Sequence, residues 1–172
     1  MTSTPALFDF LDRSHQELQR QLVALRRLVG AVADDTLDAA GRDELKRTIA
    51  WFNREARQHH LDEEHHVFPP LLQSTDANVV QTTLRLRQDH GWIEENWLEL
   101  EPSLEAAAGG YSWFDRDTLA QGVEVFEQLY IDHLTLEESL AYPEASKRLA
   151  QTDTSGMGRE MAARRARLKK EG

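Results

Sequence analysis

Apolar side chains recur at alternating steps of four and three along most of this chain, the spacing of one face of a helix. The first stripe runs Leu7, Leu11, His15, Leu18, Leu22, Leu25, Val29 and Val32. Pro5 suits its first turn, and the polar stretch ADDTLDAAG closes it. The second runs Leu45, Ile49, Phe52, Ala56, His59, Glu63 and His66, and Pro69–Pro70 is expected to stop it. The third runs Val79, Thr83, Leu86, His90, Ile93, Trp97, Leu100 and Leu104, up to Gly109–Gly110. The fourth runs Leu119, Val123, Phe126, Tyr130, His133, Glu137 and Leu140, and Pro143 is expected to close it. Period-2 alternation and Val/Ile-rich runs are scarce, so strands are not expected. Long stripes with short connections predict an all-α protein, an up-down-up-down antiparallel four-helix bundle over residues 1–150. A short basic C-terminal tail or helix follows over 151–172.

Six residues interrupt these apolar faces: His15, His59, Glu63, His90, His133 and Glu137. Charged groups rarely enter a core unless paired or ligated. A Glu four residues after a His lies on the same helix face, within reach of one ion. His15 and His90 fall near the starts of their stripes, His59 and His133 near the ends of theirs. In an antiparallel bundle these are the same end of the molecule. At 1.5 Å rise per residue all four histidines lie about 15 Å inside it. The densest motif, HHLDEEHH at 59–66, divides by face: His59 and Glu63 point inward, while His60 and Glu64 repeat the motif about 100° away. His60, Asp62, Glu64 and His65 are read as supports behind the ligands or as solvated surface. His66 is on the stripe by count but near the bundle end. One internal echo appears. HHLDEEHHVFP and HLTLEESLAYP each place a Glu four residues after a His and an aromatic–Pro pair ending ten after it. Trp51, Phe52, Trp92, Trp97, Trp113 and Phe126 are read as core.

Composition narrows the chemistry. The chain lacks cysteine, which excludes disulfides, thiolate metal sites and a cysteine nucleophile. Any metal is held by nitrogen and oxygen, and bridging-capable carboxylates in a bundle core suit a di-iron or di-manganese site, with zinc as a substitute. A net charge of −10 argues against nucleic acid, although the stretch from Gly156 carries six basic and two acidic residues and suits a helix lying on its own acidic domain. No run approaches a membrane span, and the start MTSTPALFDF has no basic region followed by a long apolar one, so the cytoplasm is expected. No phosphate-binding loop or nucleophile–base pair is present.

An early lone His, HxxxEE before an aromatic–Pro, a further His, and a second HxxxEE before an aromatic–Pro together resemble the hemerythrin-like HHE cation-binding domain, over roughly residues 5–145. The resemblance implies two non-heme irons, oxo- or hydroxo-bridged, with Glu63 and Glu137 as bridging carboxylates. It assigns His15 and His59 to one iron, with an open position, and His90 and His133 to the other. Oxygen-carrying members have HxxxH in the third helix; here the motif is HGWIE, so Glu94 stands in place of an imidazole. An anionic ligand favours ferric iron, which points away from reversible oxygen storage and toward reaction with oxygen, peroxide or nitric oxide. An iron-sequestering or ferroxidase-type protein and a structural zinc bundle are the alternatives, and the chain is expected as a monomer or homodimer with a redox partner the sequence does not name.

Overall fold

The computed structural model describes residues 4–171, and every regular element among them is helical. Helix α1 (Thr4–Ala33) is followed by an almost unbroken helical run: α2 (Ala39–Trp51), a π turn π1 (Phe52–Ala56), α3 (Arg57–Asp62), π2 (Glu63–Val67) and α4 (Phe68–Leu72). Helix α5 spans Ala77–Ala108. A second interrupted run joins α6 (Arg116–Leu136), π3 (Glu137–Ala141) and α7 (Tyr142–Leu149), and α8 (Ser155–Glu171) ends the described chain. Helix starts are capped as the local sequence dictates. Asp38 accepts from the Gly41 N–H at 2.7 Å, and Asp115 accepts from the Thr118 N–H at 2.7 Å. Helix α5 ends in a Schellman turn. Gly110 takes the left-handed conformation (φ 80°), its N–H bonds Ala107, and the Tyr111 N–H bonds Ala106.

The prolines expected to end the second and fourth stripes do not end them. Pro69–Pro70 and Pro143 sit in the first turns of α4 and α7, where a missing N–H costs nothing. A π turn precedes each. The N–H of Phe68 bonds the carbonyl of Glu63 and that of Tyr142 bonds the carbonyl of Glu137, both five residues back. The extra residue also shifts the stripe. The count expects His66 and Leu140 inside after the two glutamates; the chain instead fully buries Val67 and Ala141, and His66 and Leu140 are half-buried.

The structure divides into two compact units. The first holds the segment ending at His15, Arg57–Gln88, and the segment from Leu134 onward. Its core gathers Leu7, Leu11, Phe68, Leu71, Leu86, Ala145, Leu149 and Met161 of α8. The basic C-terminal stretch is therefore a helix that packs on this unit. Arg164 and Arg165 both reach the carboxylate of Asp62, which has no exposed surface, at 2.7–2.9 Å. The second unit holds Gln16–Ala56 and Asp89–His133. Its core is an aromatic cluster of Phe52, Trp97, Phe126 and Tyr130 with ring centroids 4.8–6.3 Å apart, and Asn53 accepts the Trp97 indole N–H at 2.6 Å. Two of the tryptophans read as core are not: Trp92 and Trp113 are 54% and 68% exposed. Trp92 precedes the inward Ile93 and so faces away from the stripe, while Trp113 lies in the turn beyond Gly110.

Candidate metal centre

The first unit brings four of the expected ligands together. His15 comes from α1, His59 from α3, Glu63 opens π2 and Glu137 opens π3. One donor atom from each lies within 4.8 Å of the other three, and all four residues are buried. His15 Nε2 is 3.2 Å from Glu137 Oε2 and 3.5 Å from Glu63 Oε1, and His59 Nε2 is 3.2 Å from the same Glu63 oxygen. The rings of His15 and His59 meet edge to face with centroids 4.8 Å apart.

This arrangement is unfavourable for an ion-free protein core. Two carboxylates with no exposed surface converge on one imidazole. Burial pushes the His15 imidazolium toward losing its proton, but Glu137 and Glu63 together outweigh burial and raise its pKa to about 10. His59, buried beside them, makes no hydrogen bond through either ring nitrogen. An imidazole without a hydrogen bond, facing two buried carboxylates and a second imidazole, is a donor set that a divalent or trivalent cation completes. Its all nitrogen–oxygen chemistry fits iron, manganese or zinc.

Two supporting groups, Glu138 and Tyr142, are not evident from the sequence. Glu138 receives the His15 Nδ1–H at 3.0 Å, which turns Nε2 toward the quartet, as carboxylates behind ligand histidines do. Tyr142 donates its hydroxyl to Glu63 Oε1 at 2.5 Å and lies 2.8 Å from His15 Nε2. Burial, then the charges of Glu63 and Glu137, hold that phenol well above its usual pKa. The echo between VFP and AYP was the available signal: at matching positions one half carries Phe68 and the other a tyrosine. Asp62, read from the sequence as a support or as solvated surface, is a support: it is held behind α3 by Arg164 and Arg165, and Arg164 also bonds the Gln58 carbonyl oxygen at 3.2 Å.

The second unit holds His90 on α5 and His133 on α6, both buried, with Nε2 atoms 3.1 Å apart. His133 Nδ1 stands 3.6 Å from Asp89, an ion-pair rather than a hydrogen-bond distance. Glu94 is half-buried one turn beyond His90, on the edge of the stripe. Of the remaining HHLDEEHH residues, His60 is buried rather than solvated, Glu64 is half-buried and His65 is exposed. His66 lies 2.6 Å from Glu160 of α8. His65, His66 and Glu160 lie close enough for a second ion, but Arg164 already grips both oxygens of Glu160, at 3.0 and 2.6 Å. The guanidinium, then His66, pulls the Glu160 pKa down to about 2 against the opposing effect of burial. That node is an ion-pair latch for α8.

An all-helical chain with buried histidine–glutamate clusters defines a metal-binding helical protein. Residues 6–145 match the hemerythrin HHE cation-binding domain, and the chain belongs to that family. It is also 32% identical, over 124 residues, to an uncharacterized protein of Haemophilus influenzae, covering 72% of this chain and 69% of that one. No helix among the described residues is long and apolar enough to cross a membrane.

Proposed function

We propose that this protein is a cytoplasmic non-heme di-iron protein, built as an up-down four-helix bundle, that reacts with oxygen, peroxide or nitric oxide rather than storing oxygen. The observation that carries the reading is the buried quartet of His15, His59, Glu63 and Glu137, in which His59 has no hydrogen bond of its own. His15 and His59 would hold one iron. His90 and His133, with Glu94 one turn beyond His90, would hold the other. Bound iron would supply a redox-active Lewis acid with room for a small diatomic ligand or peroxide.

The chain's own residues set the conditions for that chemistry. Burial of the quartet excludes bulk water, so charge interactions there are screened far less than at the surface. Glu138 fixes the ring orientation of His15. Glu94 would add negative charge near His90, stabilising the ferric state and disfavouring reversible storage.

The test is aerobic iron loading followed by elemental analysis and stopped-flow absorbance of the reduced protein mixed with oxygen. The expected result is two irons per chain, near-ultraviolet absorption and rapid oxidation without a lasting adduct, with Glu94→His oxidising more slowly. A protein that takes zinc but rejects iron would sink the reading. A long-lived, reversible oxygen adduct would make storage the better one.

A further inference from the structure

We propose that Tyr142 is itself a ligand of the ion held by His15 and Glu63, so that this site carries a phenolate oxygen in addition to its imidazoles and carboxylates. The inference rests on the metal-binding reading and deepens it. The Tyr142 oxygen lies 2.8 Å from His15 Nε2 and 2.5 Å from Glu63 Oε1, and Glu137 Oε2 lies 3.2 Å from the same His15 nitrogen. Two donors bound at right angles to one ion, each at about 2.0–2.2 Å, stand about 3 Å apart, which is the spacing of the Tyr142 and Glu137 oxygens from His15 Nε2; the shorter Tyr142–Glu63 contact is a hydrogen bond.

Hydrogen bonding accounts for the Glu63 contact but not for both contacts once an ion is present. His15 gives its Nδ1–H to Glu138, so Nε2 must offer its lone pair to the ion. The phenol oxygen beside it then has no N–H to accept, and its lone pairs face the cation. The ring cannot retreat to water. Tyr142 is buried and stacks on His15 with centroids 4.8 Å apart and planes 19° apart. Its placement follows from π3, since the turn that opens with Glu137 closes on the Tyr142 N–H. The matching position in the other half of the echo is Phe68, which has no hydroxyl, so this oxygen enters from one half only. On ligation the phenol proton leaves to solvent as the cation takes its place, and no electron moves.

Ferric phenolates absorb in the visible by charge transfer from the ring to the metal, whereas ferric ions bound only by imidazole, carboxylate and oxo groups lack that band. Wild type and Tyr142→Phe are loaded with ferrous iron in air, counted for iron, and compared from the ultraviolet to the near infrared. The expected result is a broad visible band in the wild type that is lost in Tyr142→Phe at comparable iron content. Should the variant lose iron or misfold, resonance Raman of the wild type decides, because excitation in the band enhances phenolate ring modes only if the ring is bound. Iron at full stoichiometry with no such band or ring modes in the wild type overturns the proposal and leaves the metal reading standing. Failure to bind any metal overturns both.

Discussion

Arg164 Nη1 lies 2.9 Å from Oδ1 of Asp62, a carboxylate with no exposed surface, one residue before Glu63. Arg165 grips the same carboxylate from the next position of α8, through both of its oxygens. A buried anion held by two cations tolerates the loss of one far better than the loss of both. Removing the only partner of a buried charge costs about 3–5 kcal/mol. Arg164→Ala and Arg165→Ala singly should therefore each cost about 1–2 kcal/mol, and the double variant clearly more than their sum. Urea unfolding of the four proteins measures this, and strict additivity would show that Asp62 does not depend on the pair.

The register of HHLDEEHH should separate ion-binding residues from their neighbours. His59→Ala and Glu63→Ala should each remove most of the bound iron, counted per folded chain. His60→Ala should lower the melting temperature, because His60 is buried, yet leave iron nearly intact. Glu64→Ala, at a half-buried position, should change iron little. A His60 variant empty of iron, beside a loaded His59 variant, would place the ligand face one residue away.

His15 makes the ion-free protein sensitive to alkali. Its pKa is raised in the fold to about 10, against about 6.5 for a free imidazole. The folded state therefore holds a proton that the unfolded chain gives up between those values. The stability this proton contributes is complete below about pH 6.5 and is lost as pH rises through about 10. The difference in unfolding free energy between wild type and His15→Gln, both free of metal, should shrink over that window. A difference that is flat or grows with pH would contradict it. Metal uptake must expel the same proton, so loading in weakly buffered solution should acidify it.

Chelation should destabilise the fold. An ion bound only to the native state contributes RT ln(1 + [L]/Kd), about 4 kcal/mol at a thousandfold excess over Kd. For a chain of this size each kcal/mol moves the melting temperature by roughly 2–4 °C, so removal of the metal should lower it by on the order of 10 °C. An unchanged melting curve, with metal loss confirmed by elemental analysis, would argue that the buried histidines and glutamates are not ligands.

The four-and-three count located the helices and the inward residues well, because one stripe carries both the core and the candidate ligands. Leu7 through Val32 and Val79 through Leu104 are buried at every counted position. The count failed just past Glu63 and Glu137, where a π turn adds a residue that periodicity does not register. Pro69 and Pro143 look like stops because a proline ends a regular helix, but as the second residue after a π turn each sits in the first turn of the next helix. Glu138 and Tyr142 were invisible as site residues for different reasons. Glu138 is 48% exposed and acts by touching the outer nitrogen of His15, a relation between residues 123 positions apart. Tyr142 reads as one more core aromatic until its hydroxyl is placed beside Glu63.

The π turns at Glu63–Val67 and Glu137–Ala141 also give the helix on their two sides two angular settings. Upstream, its face is aligned to the buried glutamate of the candidate site; downstream, it is turned by about one residue, or 100°, and aligned to apolar neighbours. Deleting a single residue from 63–67 or 137–141 would remove the π turn there and couple the two settings. Then either the glutamate or the Phe68 and Tyr142 rings, but not both, could keep their orientation. A straightened helix designed from this chain would thus have to give up either its buried glutamate's place in the quartet or its packing, and the irregularity is what lets one helix serve both.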